Sequence, residues 1–281
     1  MKVKVITDSI SDISKEAADS YNIEVLPISV SLDGEFIPDD KIKVTETIEW
    51  IEKNKKRPLF KGVSTEAYEK AFGEYISQGY DIICITAGSK SISNYDCACH
   101  ASTMYPNSNI HVIDSHQLST GQGLMALKAA AMAKNDESAN GIAIRFERNI
   151  DKIKQYGLAD SVDYLQYAGL CPKIVAVGSN WLNAKYLVEL LKDKKFDVQM
   201  VGNSMNKAVP AYCNNIFKDL RNIDPRRVFI MHTKSEEDYF AEVYRRVLAL
   251  EYFEDIIVCN AGSYSTSLVG KSGISISYQL K

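Results

Sequence analysis

Short apolar runs, each closed by polar residues or glycine, recur along the chain of 281 residues. In the first half they are KVKVITDS (2 to 9), IEVLPISVSL (23 to 32), DIICITAG (81 to 88) and NIHVIDS (109 to 115). Runs of this length, rich in β-branched side chains, read as strands buried on both faces, as in a parallel sheet. Between them the apolar positions return every three or four residues. Thr45 stands where it can cap TETIEWIEKNKK, and Ser64 where it can cap STEAYEKAFGEYISQG. The stretches from Ser93 to Met104 and from Gly121 to Lys134 each keep a period suited to one buried helix face. Strand and helix thus alternate, and the pattern predicts an α/β fold with a mainly parallel sheet covered by helices.

The second half starts after ESANGIAIRFERNIDKIKQYG, which reads as one long amphipathic helix. Strands follow at FDVQMVGN, RRVFIMHT, EDIIVCNAG and GISISYQL. Two α/β domains are therefore expected, residues 1–150 and 151–281, with a ligand cleft between them. Nothing repeats along the chain and no segment is of low complexity.

Composition narrows the function classes. With 46% hydrophobic and 25% charged residues and a formal net charge of −3, the chain reads as a globular protein. It has no apolar run near the roughly 18 residues that a membrane span requires. The opening MKVKVITDSIS is too briefly apolar for a signal peptide and reads as a first strand, so a cytoplasmic location is expected. Lys and Arg are dispersed apart from Lys53, Lys55, Lys56 and Arg57, which speaks against a nucleic-acid partner. The six cysteines are scattered, so no disulfide framework is expected. Cys97-Ala-Cys99-His100 lacks a second ligand pair at the spacing of a structural zinc site, and no metal is expected.

Residues 111 to 130, HVIDSHQLSTGQGLMALKAA, hold the most conspicuous motifs. Gly121-x-Gly123-x-x-Ala126 follows a strand and opens a helix, as a dinucleotide fingerprint does. The strand, however, ends six residues too early, and the next segment is a helix that offers no acid to a ribose, so no cofactor is expected. Asp114, Ser115 and His116 are sequence neighbours, whereas a catalytic triad converges from separate elements. Gly270-Lys271-Ser272 has Ser265 where a phosphate loop has its first glycine, and a strand pattern follows it. What remains is a set of strand-end loops rich in hydroxyls: Thr7-Asp8-Ser9, Gly88 to Ser91, Ser93-Asn94, Asp114-Ser115 and Ser119 to Gly121. Such residues line ligand crevices beyond the carboxyl ends of parallel strands, and they also cap helices; both readings stay open. Asp114 and Ser115 are expected to end a central strand.

Several segments taken in order resemble the DegV family: VITDSISDIS, VLPISVSLDGEFIPD, VSTEAYEKAF, DIICITAGSKSISNYDCA, HVIDSHQLSTGQGLMALKAA, DSVDYLQYAGLCPKI and NAGSYSTSLVGKSGISISY. The resemblance covers most of the chain. It implies a non-enzymatic, cytoplasmic bacterial protein that binds fatty acid in an interdomain cleft as the binding subunit of fatty acid kinase. The family holds the carboxylate with hydroxyls of a Thr-Ser segment and a Ser-x-Leu-Ser-Gly-Thr loop, aided by a His. Here Phe60-Lys61 stands for Thr-Ser, Asn94 for the loop Thr, Leu268 for the His, and Leu170 for an Arg of the second domain. The resemblance therefore implies altered head-group recognition, with Lys61, Ser89, Ser93, Asn94, Asp114 and Ser115 as the ligand-binding set. Lys61 is the cation able to replace the lost donors, because a carboxylate stripped of water without donors is costly. Two other readings stand beside this one. One is an enzyme acting on a small carboxylated or phosphorylated ligand, which needs a base converging on Ser89 or Ser115. The other is a DegV-like protein that has lost its ligand.

Overall fold

The computed structural model describes residues 2–159, 161–169, 183–191, 196–233 and 239–281. The chain folds as two compact units, Met1–Lys41 with Leu59–Asp151 and Ile42–Pro58 with Lys152–Lys281.

The first unit begins with β1 (Lys2–Asp8) and α1 (Lys15–Tyr21). The run from 23 to 32, expected as one strand, is two. β2 (Ile23–Leu26) lies parallel to β1, but Pro27 has no N–H to continue a ladder, and the chain leaves the sheet there. β3 (Ser29–Ser31) then pairs antiparallel with β4 (Ile37–Pro38) and with β5 (Leu59–Lys61), forming a small separate sheet. Between β4 and β5 the chain visits the second unit, where it forms α2 (Val44–Asn54). Lys43, not Thr45, occupies the N-cap of this helix.

Helix α3 (Thr65–Ser77) is capped as expected, Ser64 Oγ accepting the Ala67 N–H at 3.3 Å. β6 (Tyr80–Thr86), α4 (Asn94–Thr103), β7 (Ile110–Asp114), α5 (Ser119–Lys134) and α6 (Ala139–Asn149) complete the unit. The main sheet is wholly parallel, in the order β2-β1-β6-β7. Val5, Ile6, Ile82, Ile83, Cys84 and Ile85 in its two central strands are fully buried, which is why the middle of each run is apolar. β7 is an edge strand, so Asp114 and Ser115 do not end a central one.

The long helix read from 137 to 157 proves to be a helix of the first unit and a strand that opens the main part of the second. α6 stops at Asn149, and from Ile153 to Gly157 the burial alternates residue by residue, with β8 running over Ile153–Ala159. Then come α7 (Asp163–Tyr167), β9 (Lys185–Leu190), β10 (Phe196–Gly202), α8 (Met205–Ile216), β11 (Ile223–His232), α9 (Tyr239–Leu248), β12 (Ile256–Asn260), α10 (Ser263–Val269) and β13 (Ile274–Leu280). The sheet order is β10-β9-β8-β13-β11-β12, antiparallel except for the pair β11 and β12. Val209, Tyr212 and Ile216 of α8 pack with Leu158, Ile230 and Ile276 of the sheet in one apolar core.

The visiting stretch 42–58 is fastened in this unit to α10. Thr47 Oγ1 donates to Ser263 Oγ at 3.0 Å, and Arg57 Nε donates to Ser267 Oγ at 3.0 Å while its guanidinium lies 4.3 Å from the Tyr264 ring centre. Sequence spacing keeps this stretch in the first half; its packing puts it in the second unit.

Candidate ligand site

In the parallel sheet the chain builds outward from β1 on one side to β2 and on the other to β6 and β7. The connections leaving β1 and β6 therefore diverge, and the carboxyl ends of these strands flank the place where open α/β sheets accommodate ligands. In this unit that place is lined by Asp8 and the 3₁₀ turn Ser9–Ser11 after β1, and by the loop from Ala87 to Ser93 after β6.

Asp8 closes the gap between the two strands. Its fully buried carboxylate accepts the Ala87 N–H at 2.9 Å and the Ile10 N–H at 3.2 Å. Burial raises its pKa; the two N–H donors and the amides of Asn94 and Gln122 oppose that rise. Gln122 Nε2 donates to Thr7 Oγ1 at 3.0 Å, which in turn donates to the Ile85 carbonyl at 2.7 Å. The Gly121 segment of α5 thus packs against β1 as a structural layer, with Gln122 as its polar contact.

A second carboxylate lies close by. Ser9 Oγ donates to both Asp39 oxygens at 2.9 Å and accepts the Ile28 N–H at 3.0 Å, tying the small sheet to the end of β1. Burial lifts the Asp39 carboxyl to about 7, and the charges of Asp12, Asp40 and Asp8 push the same way. Ser119 Oγ donates to Asp12 Oδ2 at 2.5 Å. The hydroxyl pattern pointed to Ser9 and Ser119, but their acidic partners were missed. The Asp-Asp pair just after the 37–38 strand was the available signal.

The proposed ligand-binding residues fall into two neighbouring groups joined by the 88–94 loop. At one end, Asn94 is buried and its Oδ1 accepts the Val63 N–H at 2.9 Å, so this amide fastens the chain beyond β5 to α4. A Cβ placed on Gly62 would come within 3.1 Å of Ser93 Oγ, which sets Ser93 beside the residue following Lys61. Lys61 and Ser93 are both exposed. Ser93 occupies the N-cap position of α4 but makes no side-chain cap bond.

At the other end, Asp114 Oδ1 accepts the N–H groups of Ser89 and His116, each at 3.0 Å. Burial works against its charge, yet the donors from Ser89 and His116 outweigh it and hold the carboxyl below its ordinary range. Ser115 is fully buried, its Oγ donating to the Gln117 carbonyl at 3.1 Å and accepting the Gln117 N–H at 3.0 Å. That hydroxyl is consumed by its own turn, which removes it as a nucleophile. Asn94 Oδ1 and Ser115 Oγ are therefore bound into the frame, as is Ser89, whose N–H and side chain both serve Asp114, whereas Lys61 and Ser93 are exposed beside the loop.

Of the substituted positions, Leu268 is a buried residue of α10 in the second unit, and Leu170 lies outside the described residues. Cys97 and Cys99 are two apart on α4 and do not share a helix face. Among the described residues no group of three His, Cys, Asp or Glu is arranged to hold a metal ion, and no helix is long and apolar enough to cross a membrane.

The chain matches the family described as "Uncharacterised protein, DegV family" over residues 2–281. A DegV domain-containing protein of Clostridium perfringens is 26% identical over 266 residues, 94% of this chain and 95% of that protein. One of Listeria monocytogenes is 30% identical over 229 residues, 81% of this chain and 80% of the relative. The fold is shared with a DegV family protein from Thermus thermophilus described for fatty acid binding, at a TM-score of 0.86, 21% identity and full coverage of both chains. It is shared as well with the Streptococcus pneumoniae Fatty Acid Kinase (Fak) B3 protein loaded with linoleic acid, at a TM-score of 0.82, 17% identity and again full coverage of both. With the family pattern matched from the first strand to the last residue, the chain belongs to the DegV family.

Proposed function

We propose that this protein binds a long-chain fatty acid or a similar lipid without transforming it, and presents it to a partner kinase subunit. Head-group recognition is altered relative to the family. The observation that carries the reading is Ser93: a hydroxyl at a helix N-cap, spending nothing on the cap and exposed at the edge of the strand-end crevice. Lys61 precedes Gly62, which packs beside Ser93, and the Ser89 loop leads up to it, with Asn94, Asp114 and Ser115 as the frame. The names of the Thermus and Streptococcus proteins supply the ligand class, and the latter the kinase partnership.

Neutral donors and one nearby ammonium suit a carboxylate. The buried, turn-bound Ser115 does not favour an enzyme built on that hydroxyl. Native mass spectrometry of the purified protein, followed by extraction and identification of co-purified lipid, tests the reading. A bound fatty acid, lost on delipidation and regained on adding the acid, is the expected result. Absence of any lipid, together with no measurable binding of C16 or C18 acids, rejects it.

A further inference from the structure

We propose that His116 is a ligand-contacting residue, the one whose ring meets the anionic end of the bound lipid. The inference rests on the lipid-binding reading above and on the geometry at the end of β7. Neighbouring side chains ordinarily diverge, but here the backbone doubles back. His116 has φ of +52°, its N–H donates to Asp114 Oδ1 at 3.0 Å, and its Nδ1 lies 3.2 Å from Asp114 Oδ2. Ser115 between them is turned inward. The Asp-Ser-His cluster is thus a carboxylate–imidazole pair with a scaffold serine, a pairing that sequence proximity alone argued against.

The pair is aimed. With Nδ1 against the carboxylate, Nε2 is on the opposite side of the ring, and the side chain is 56% exposed. The turn that carries it is stitched to the 88–94 loop twice. Ser89 N–H shares the same Asp114 oxygen, and Gly88 N–H donates to the Gln117 carbonyl at 2.8 Å. Ser93, the hydroxyl that carries the lipid reading, is at the other end of that loop. An imidazole between two carboxylates bridges them as the imidazolium, with both ring N–H groups donating. Asp114 supplies the inner carboxylate, and a fatty acid supplies the outer one. The charge of Asp114 reaches Tyr95 and Cys99 of α4, on both of which Asp96 also acts, while the group whose charge acts on Asp114 is His116. His116 is the group in this cluster that can carry positive charge.

The test compares palmitic acid with methyl palmitate on the full chain, for the wild type, His116→Gly and His116→Lys. Glycine accepts a positive φ, so His116→Gly removes the ring without loading the backbone, and its melting temperature reports whether the turn survives. In His116→Gly the acid is expected to bind about tenfold more weakly, a loss of about 1.4 kcal/mol, with the ester unchanged. His116→Lys, which restores a cation, is expected to recover most of the acid affinity. Unchanged acid and ester affinities in His116→Gly overturn the inference and leave the lipid reading standing. An equal loss for acid and ester assigns His116 a structural role only, and so also overturns it. A wild-type protein that binds neither probe overturns both.

Discussion

Asn94 Oδ1 accepts the backbone N–H of Val63 at 2.9 Å, and in doing so it fills the space beside Gly62: a Cβ built there would lie 2.3 Å from that oxygen. Both Asn94 and Val63 are buried, so neither gives way cheaply. The loop that bears Ser93 and the strand that bears Lys61 are held in register by this contact.

Gly62→Ala is accordingly expected to destabilise the fold by about 1 to 3 kcal/mol through overpacking. Asn94→Ala leaves the buried Val63 N–H without its acceptor, at a cost of about 1 to 3 kcal/mol. In the double variant the alanine at 62 no longer meets the amide, so the two costs should fall short of their sum. Urea unfolding of all four proteins checks this; strict additivity would refute the shared-space argument.

Asp39 predicts a pH dependence of stability. Its carboxyl titrates at about 7 in the folded chain, against about 3.9 when unfolded. Between those values the folded protein keeps a proton that the unfolded chain releases. Stability from this group is therefore greatest below the unfolded value, declines as pH rises through the window, and levels off above about 7, at about 1.4 kcal/mol per unit at most. Asp39→Asn, which keeps an acceptor for Ser9 without the charge, should gain on the wild type from pH 5 to pH 8. Urea midpoints at each pH decide it, and a constant difference between the two proteins would sink the idea. Asp8, whose pKa burial also raises, leaves a residual slope of the same sign in both.

Ser93→Ala should weaken binding of a fatty acid by about 0.5 to 1.5 kcal/mol, one neutral hydrogen bond. Because the hydroxyl makes no cap bond, the melting temperature should stay within experimental error. A loss of stability comparable to that of an ordinary N-cap serine, about 1 kcal/mol, would mean that the hydroxyl serves the helix instead.

Lys61→Ala addresses the replacement of the family's polar residues. If Lys61 turns from its exposed position toward the head group, the variant should bind the acid about tenfold more weakly, while an alcohol or ester of equal length hardly changes. Calorimetry with the matched ligands reads the difference. Acid and ester affinities equally unchanged would leave Lys61 as a solvated strand residue.

Much of the frame was legible from the chain. The runs around Val5 and Ile83 read as strands because the middle of a strand buried on both faces leaves no room for polar residues, and Ser64 read as a cap because the next three residues begin a helix. β8 was hidden because Ile150, Ile153 and Tyr156 extend the helical spacing of the preceding segment, while the alternation that makes a strand starts only at Ile153. Pro27 was a visible break whose consequence, a strand leaving for a second sheet, depends on Phe60, which pairs with Val30 from 30 positions further along the chain.

The class of fold, the family and the residue types gathered at the strand ends follow from the chain alone, since periodicity and motif order are local properties. The job of each polar group depends instead on packing. Asp8 meets Ala87 across 79 positions, Asn94 meets Val63 across 31, and Arg57 meets Ser267 across 210. No local pattern encodes such partners, because a buried hydrogen bond is fixed by which backbone group the packing of distant elements leaves unsatisfied. The same holds at short range: a backbone φ of +52° at His116, fastened by Asp114, turns one of three consecutive residues back onto another and buries the serine between them.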